Sequence, residues 1–242
     1  MSSNPFLRAA PPRKRNLFTH IVDELGGRIV RGEWKPGDAL PNEAELGREL
    51  GASRSILREA VKSLASKGLI EPRPSTGTRV LPSDHWNLLD LDVLGWRYAS
   101  MPRAQFFREL FEIRRMIEPA AAALAAERAT EDEIAALANA CDRMDTEDEN
   151  DVQAIDADMR FHRLVLTGGH NDLLVQMGGV ISVGLMTSFR IRPDSYRIFI
   201  PMHRLVFEAI RDRQPDKARA AMDRLLLETR QFLERELAEQ AA

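Results

Sequence analysis

The chain has 242 residues, of which 44% are hydrophobic, 29% are charged and 6% are aromatic. These proportions are typical of a globular protein and exclude wholesale disorder. No apolar run approaches the ~20 residues that span a bilayer, and the first residues lack the apolar core of a secretory signal, so we expect no membrane association. A single cysteine, Cys141, excludes an internal disulfide framework, and the expected compartment is the cytoplasm.

Charge is distributed unevenly along the chain, although the net charge is only −3. Residues 1–82 hold 14 Lys and Arg against 9 Asp and Glu, whereas the remaining residues hold 20 against 28. A basic front and an acidic rear predict two units with different partners. The basic unit is the one suited to a polyanion such as DNA.

The first 16 residues combine three prolines with four basic residues. We predict a flexible basic arm over 1–16, which either touches DNA phosphates or is an inert tail. Apolar residues then recur at helical spacing and predict a first helix over 17–31. The residues that carry this spacing are Phe18, Ile21, Val22, Leu25 and Ile29.

Capping residues predict two more helices. Asn42, with Glu45 three positions later, forms a capping-box pair at the start of a helix over 42–50. Ser53 is a good N-cap for a third helix. Gly68 is well placed to end that helix in the left-handed conformation.

A short hairpin follows the third helix. Strands are predicted over 69–71 and 78–81, joined by a turn rich in proline and glycine. A helix, a helix-turn-helix and a hairpin in this order predict a winged helix-turn-helix domain over 17–81. We interpret residues 82–102 as a linker whose stretch 86–96 forms a short helix between the two units.

The rest of the chain, 103–240, is predicted to be almost entirely helical. Antiparallel packing of these helices would bury their apolar stripes around one core, giving an all-helical bundle. The predicted fold class is therefore mainly α. The predicted helices cover 103–128, 130–147, 150–167, 171–191, 195–213 and 215–239.

The third helix carries the residues expected to bind DNA. A helix that enters the major groove needs small polar and cationic residues near its N-terminus. Arg54 and Arg58 are i, i+4 neighbours, and Arg is suited to a bidentate contact with guanine. The charges alone are more typical of a solvated face, but the capped turn, the glycine stop and the hairpin favour DNA binding. The candidate DNA-binding residues are Ser53, Arg54, Ser55, Arg58, Lys62 and Gly77, the last at the hairpin tip.

A possible metal site lies in the acidic half. Asp158 and His162 are spaced i, i+4, so both side chains can reach one ion. His203 lies far downstream, in the fifth of the predicted bundle helices. A carboxylate with imidazoles suits Zn²⁺, Mn²⁺, Ni²⁺ or Fe²⁺, although surface pairs of this kind are also common without a metal.

Arg114 is the candidate effector-binding residue. It shares a helical stripe with Phe107, Leu110, Phe111 and Glu118, so its guanidinium is predicted to point inward. A buried arginine needs an anionic partner. That partner is either a carboxylate effector or an internal acid such as Glu118.

Several stretches resemble a known family. LPNEAEL at 40–46, SRSILREA at 53–60, LASKGLI at 64–70 and GTRV at 77–80 resemble the DNA-binding domain of GntR-family transcription regulators. RRMIEP and LAAERAT, which begin at Arg114 and Leu124, resemble the helical FCD effector domain of the FadR subfamily. The resemblance implies a homodimer that binds a palindromic operator and is released by a small metabolite. The chain departs from the family at Ala44, where many members have an arginine.

The resemblance also implies a metal at the floor of the effector pocket. Asp158, His162 and His203 match three of the family's four ligands, and Leu225 stands at the position of the fourth. We therefore expect a divalent metal, with Zn²⁺ as the leading candidate. The stretch 86–96 is similar to that of sugar-acid-responsive members, which favours an aldonate such as galactonate as the effector.

Three classes of function remain to be compared. The leading one is a repressor of a sugar-acid or related carboxylate catabolic operon, which is not an enzyme and could respond to a different organic acid. A metal-dependent enzyme with an accessory DNA-binding domain is the second, since the ligand set could activate water. However, the sequence offers no convincing general base, phosphate loop or nucleophile elbow. An architectural DNA-binding protein without a ligand is the third.

Overall fold

The computed structural model shows a mostly helical protein, which confirms the predicted fold class. The chain divides into two compact units, Met1–Pro102 and Arg103–Ala242. The predicted basic arm lies outside the described residues, so it stays a prediction. The structure describes residues 17–73, 77–145, 151–192 and 195–240.

The first unit begins with three helices and a hairpin in the predicted order. The two strands pair antiparallel, with Ile70 opposite Val80 and Arg73 opposite Gly77. The observed strands differ from the predicted ones by one or two residues at their ends. The elements are α1 (Leu17–Val30), α2 (Glu43–Leu50), α3 (Arg54–Ser66), β1 (Ile70–Arg73) and β2 (Gly77–Val80).

The predicted helix caps are confirmed. The Asn42 side chain accepts from the backbone N–H of Glu45 at 3.0 Å, and the Glu45 carboxylate accepts from the Asn42 N–H at 3.0 Å. Ser53 caps α3 through Ile56 N–H. Gly68, at φ +77°, follows α3 in the left-handed region that glycine adopts at least cost.

The segment interpreted as a linker packs within the first unit. It forms a short 3-10 helix (Ser83–His85) and α4 (Leu91–Ser100). Lys67, at the C-terminal end of α3, places its Nζ 2.7 Å from the Asp90 carboxylate and 2.9 Å from the Asp92 carboxylate. The end of the third helix is therefore fixed to the start of α4 by a half-buried charge cluster.

Close packing of α4 on α1 gives a testable prediction. A Cβ at Gly26 would lie 2.4 Å from the buried ring of Trp96. We expect Gly26→Ala to destabilise the first unit by about 1–3 kcal/mol, because a buried indole has little room to shift. Urea unfolding followed by tryptophan fluorescence measures this, since Trp34, Trp86 and Trp96 all lie in this unit.

The control for this measurement is Gly178→Ala in the second unit. The nearest atom to a Cβ at Gly178 is at 3.6 Å, an ordinary van der Waals contact. An unfolding midpoint of Gly26→Ala equal to that of this control would contradict the packing described here.

The second unit is a bundle of helices around one apolar core. The longest helix of its N-terminal half, α5, packs against α7, α9, α10 and α11. Phe107, Phe111 and Phe161 are fully buried in the core. The elements are α5 (Arg103–Arg128), α6 (Glu131–Met144), α7 (Asp151–Gly168), α8 (Asp172–Gln176), α9 (Gly178–Ile191), α10 (Ser195–Arg211) and α11 (Pro215–Gln240).

The prediction of one continuous helix over 171–191 is wrong. Asn171 caps the short α8 by accepting from Leu173 N–H at 3.0 Å, and α8 ends at Gln176. The next helix then begins at Gly178. Adjacent glycines at 178 and 179 weaken helical continuity, because glycine loses the most backbone freedom on becoming helical.

The same stretch also corrects the expectation that no apolar run approaches the length that spans a bilayer. Asp172–Ile191 is long and apolar enough to cross a membrane by length and composition, with a mean hydropathy of 1.4. Core helices of globular proteins pass the same test. Val180, Ile181 and Leu185 are indeed buried in the second unit.

The single cysteine lies in the same core. Cys141 is buried, and burial raises the pKa of its thiol to about 12. Its thiol is therefore protonated at neutral pH and a poor nucleophile.

Candidate functional site

The third helix presents two chemically different faces. Its buried face packs into the first unit through Leu57, Ala60 and Leu64. The opposite face carries the predicted DNA-binding residues, and all of them are exposed: Arg54, Ser55, Arg58 and Lys62. The Ser53 N-cap is also exposed, and its hydroxyl lies 3.0 Å from that of Ser55. This face is a candidate DNA-binding surface.

Two cations of this surface have carboxylate neighbours. Arg58 Nε lies 3.1 Å from Glu43 on α2, and Lys62 Nζ lies 2.8 Å from Glu59. Exposed ion pairs of this kind contribute only about 0–1 kcal/mol each. Both cations can therefore exchange a carboxylate for a phosphate or a base edge at little cost.

Gly77 begins β2, is exposed and has φ +82°. Among the described residues, its chain neighbours aside, no atom lies within 4 Å of the place where its Cβ would be. The loop before it, 74–76, lies outside the described residues. Two hairpin arginines that the sequence reasoning missed lie nearby: exposed Arg73 in β1 and half-buried Arg79 in β2. The resemblance offered a signal for the second, because it includes GTRV.

The predicted metal ligands come together in the second unit. Asp158 and His162 lie one turn apart on α7, and α10 brings His203 to them. His203 Nε2 lies 2.9 Å from Asp158 Oδ1 and 3.3 Å from His162 Nε2. The three ligand atoms all lie within 4.8 Å of one another, and all three side chains are buried.

The hydrogen bonds of the two imidazoles fit a metal. His203 Nδ1 donates to the carbonyl oxygen of Phe199 at 2.9 Å, and His162 Nδ1 donates to the Glu118 carboxylate. In a neutral imidazole this leaves the Nε2 lone pair free. Two imidazole nitrogens and a carboxylate then face one another, an arrangement that is stabilised by a divalent cation or, without one, by a proton between His203 Nε2 and Asp158.

The charge of Asp158 agrees with this interpretation. Burial alone would raise the pKa of Asp158, but the hydrogen bond and charge of His203, with smaller contributions from His162 and Arg114, lower it. An ionised carboxylate is the form that ligates a metal. Leu225, at the position of the family's fourth ligand, lines the same cavity but offers no ligand atom.

Arg114 is buried, as predicted. Its Nε donates to Glu118 Oε1 at 2.6 Å, so the internal salt bridge is formed. Burial alone would raise the pKa of Glu118, but the neighbouring Arg114 and His162 lower it to about 2. The buried Nη1 of Arg114 has no hydrogen-bond partner among the residues that the structure describes. A buried donor left in this state is unusual and indicates a missing acceptor.

Arg114 and the ligand cluster line one cavity of about 30 Å³. This volume holds an ion or about two waters. Three hydroxyl groups that the sequence reasoning did not single out also line it: Ser188, Ser195 and Thr229. The remaining lining residues are Leu185, Phe189, Phe199, Leu225 and Leu226.

Comparison with known proteins agrees with both halves of this description. Residues 17–80 match the family described as bacterial regulatory proteins, gntR family, and residues 109–227 match the FCD domain. The galactonate operon transcriptional repressor of Escherichia coli K12 is 36% identical over 224 residues, which cover 90% of this chain and 98% of the relative. The chain belongs to the GntR family. It is a transcription regulator with an FCD domain.

Other relatives of this GntR-family regulator are more distant. The transcriptional repressor NanR of Klebsiella aerogenes is 28% identical, over 89% of this chain and 85% of the relative. The solved structure of Lar from Listeria monocytogenes has a TM-score of 0.65 at 19% identity, covering 93% of this chain and 99% of that one. At 19% identity, the similarity to Lar shows the fold alone.

Three other basic residues of the second unit, Arg190, Arg192 and His170, do not line this cavity. Arg190 is exposed, and Arg192 forms an ion pair with Glu236 at 3.0 Å. His170 lies in a turn at φ +47°, 2.8 Å from Glu133. The main contact that the sequence reasoning missed is that between Glu118 and His162. It joins two helices across 44 positions, and no local spacing signals it.

Proposed function

We propose that this GntR-family regulator is a cytoplasmic homodimeric repressor that a small carboxylate releases from its operator. The observation that carries the proposal is one buried cavity that holds both a three-ligand cluster and a guanidinium with an unsatisfied donor. The leading effector class is a sugar acid such as galactonate. Support for that class comes from the similarity to the galactonate operon repressor of E. coli and from the hydroxyl groups around the cavity.

The cavity supplies complementary groups for such an anion. Arg114 Nη1 is placed to donate to a carboxylate oxygen. Ser188 and Thr229 donate their hydroxyl protons to the backbone carbonyls of Gly184 and Leu225, at 3.1 and 2.7 Å. Their oxygens can still accept from sugar hydroxyls. A divalent metal, for which we propose Zn²⁺, would be held by Asp158 and the two histidines and would supply positive charge and open coordination positions.

The size of the cavity indicates how effector binding would change the conformation of the second unit. About 30 Å³ admits an ion but no six-carbon acid. Effector binding therefore requires the lining side chains, which come from α5, α7, α9, α10 and α11, to move apart. A ligand that binds only this expanded state shifts the protein toward it, and a regulator needs such differential affinity.

On the DNA side, we propose that Arg54 and Arg58 read base edges while Ser53, Ser55 and Lys62 contact phosphates. Gly77 would let the hairpin backbone approach the minor groove. Two such units in a homodimer would bind half-sites about one helical turn apart. The effector is bound and released without reaction, which separates this proposal from an enzyme.

Fluorescence anisotropy with a DNA fragment from upstream of the regulator's own gene tests the proposal. We expect galactonate to weaken DNA binding at least about tenfold when Zn²⁺ is present, which corresponds to a coupling of about 1.4 kcal/mol. Chelation with EDTA should remove the effect, and succinate, which lacks hydroxyl groups, serves as the control. DNA affinity that no sugar acid changes would contradict the sensing role. Recovery of a chemically altered ligand would indicate an enzyme.

A further inference from the structure

Glu118 lies between the two chemically distinct parts of the cavity wall. It is fully buried on α5. Its Oε1 accepts from Arg114 Nε at 2.6 Å, and its Oε2 accepts from His162 Nδ1. One carboxylate thus contacts the arginine that faces the anion and the histidine that faces the metal.

We propose that Glu118 is a positioning residue that couples metal binding to anion binding. The inference rests on the proposed function, because that function supplies the two ligands. Glu118 itself lines neither the metal nor the anion position. It acts through the two side chains that do.

The first effect of Glu118 is on His162. An ionised carboxylate only accepts hydrogen bonds, so the imidazole must present its Nδ1 proton to Glu118. The neutral ring then keeps its Nε2 lone pair directed toward Asp158 and His203. Partners of this kind fix the tautomer and the orientation of metal-binding histidines.

The second effect of Glu118 is on Arg114. The hydrogen bond to Nε fixes one edge of the guanidinium, while Nη1 is buried without a partner among the described residues. The stem of the same side chain is confined by α9, because a Cβ at Gly184 would lie 2.9 Å from Arg114 Cδ. The orientation of the anion-binding group is therefore set by Glu118 on one side and by α9 on the other.

Sharing one carboxylate makes the two effects interdependent. When its Nε2 binds a cation, the His162 Nδ1–H becomes a stronger donor and draws charge from Glu118. The hold of Glu118 on Arg114 then weakens, and the guanidinium is freer to bind an external carboxylate. Metal binding should therefore raise anion affinity, and by linkage the anion should raise metal affinity by the same factor.

Glu118→Gln is the variant that tests this arrangement. Glutamine has the same shape, but it offers one acceptor and one donor where glutamate offers two acceptors. If its amide NH₂ faces His162, the ring must turn its lone pair to Nδ1 and protonate Nε2. An NH₂ that faced Arg114 would set two donors against each other, because a guanidinium cannot accept, so the first orientation is the favoured one.

Two measurements follow. ¹H–¹⁵N NMR of the metal-free protein identifies the tautomer of His162, a readout that a purely structural role would leave unchanged. Competition with a chromophoric chelator gives the Zn²⁺ affinity. We expect Nδ1–H in the wild type, a loss of that tautomer in Glu118→Gln, and Zn²⁺ binding weakened roughly 10- to 100-fold. The factor by which Zn²⁺ improves galactonate binding should also shrink.

Arg114→Lys is the matched control. It keeps the positive charge beside Glu118 but loses the planar fork, so galactonate binding should weaken while Zn²⁺ affinity stays close to that of the wild type. If Glu118→Gln does not fold, Glu118→Asp keeps the charge but shortens the reach, and the same two measurements apply to it.

The outcomes separate this inference from the proposed function. A wild-type protein that binds Zn²⁺, with a variant that keeps both the Nδ1–H tautomer and the wild-type Zn²⁺ affinity, overturns the role of Glu118 alone. A wild-type protein that binds no Zn²⁺ overturns the metal-dependent part of the proposed function together with the coupling.

Discussion

Replacing Arg54 and Arg58 together with alanine should weaken operator binding by about 2–6 kcal/mol, which is roughly 30-fold or more at constant salt. Both side chains are exposed on the face of α3 opposite its core contacts. Arginine in this position supplies bidentate base contacts and neutralises phosphates, and alanine supplies neither. Anisotropy titrations at physiological salt measure the loss. Thermal stability should hardly change, because neither side chain packs in the core.

The matched control is Arg224→Ala on α11. Arg224 is also an exposed helical arginine paired with a glutamate one turn away, Glu228 at 2.7 Å. The substitution Arg224→Ala removes one positive charge from the acidic unit and should leave operator affinity nearly unchanged. A double variant that binds the operator as tightly as this control does would exclude α3 as the recognition helix.

Asp158→Asn should abolish the response to the effector while leaving operator binding intact. The asparagine preserves shape but removes the negative charge that faces the two histidine nitrogens. Zn²⁺ affinity should fall by at least the roughly 10- to 100-fold that loss of an outer hydrogen-bond partner causes, because here a ligand itself is changed. Metal analysis of the purified variant measures the first effect, and anisotropy with and without galactonate measures the second.

Asp156→Asn provides the control on the same helix. Asp156 is exposed and two residues away, so it points to a different side of α7. This control should retain the wild-type Zn²⁺ content and effector response. An Asp158→Asn protein with undiminished Zn²⁺ content would show that the cluster is not the metal site.

Features set by local interactions could be predicted from the sequence. The caps at Asn42 and Ser53 and the glycine stop at Gly68 depend on contacts within one helical turn, so residue type and spacing define them. The pairing of Asp158 with His162 follows from the same periodicity. The third candidate, His203, was matched to this pair only by the family resemblance, since nothing in its own neighbourhood marks it as a ligand.

Features set by tertiary packing could not be predicted. The contact of Gly26 with Trp96 and that of Glu118 with His162 join distant parts of the chain. The break near Met177 was missed for a different reason. Apolar residues continue through 171–191, and the preference of this stretch for one long helix is overridden by the Asn171 cap and the following glycines.

The ion pairs of Lys67 with Asp90 and Asp92 have a consequence for exchanging the N-terminal domain between related regulators. The end of α3 is held by residues that follow the hairpin, and α4 completes the core beneath it through Trp96. The transplantable module therefore extends through Ser100 and does not end at residue 81. A chimaera joined directly after β2 would carry the proposed DNA-binding side chains without the groups that hold their helix in place.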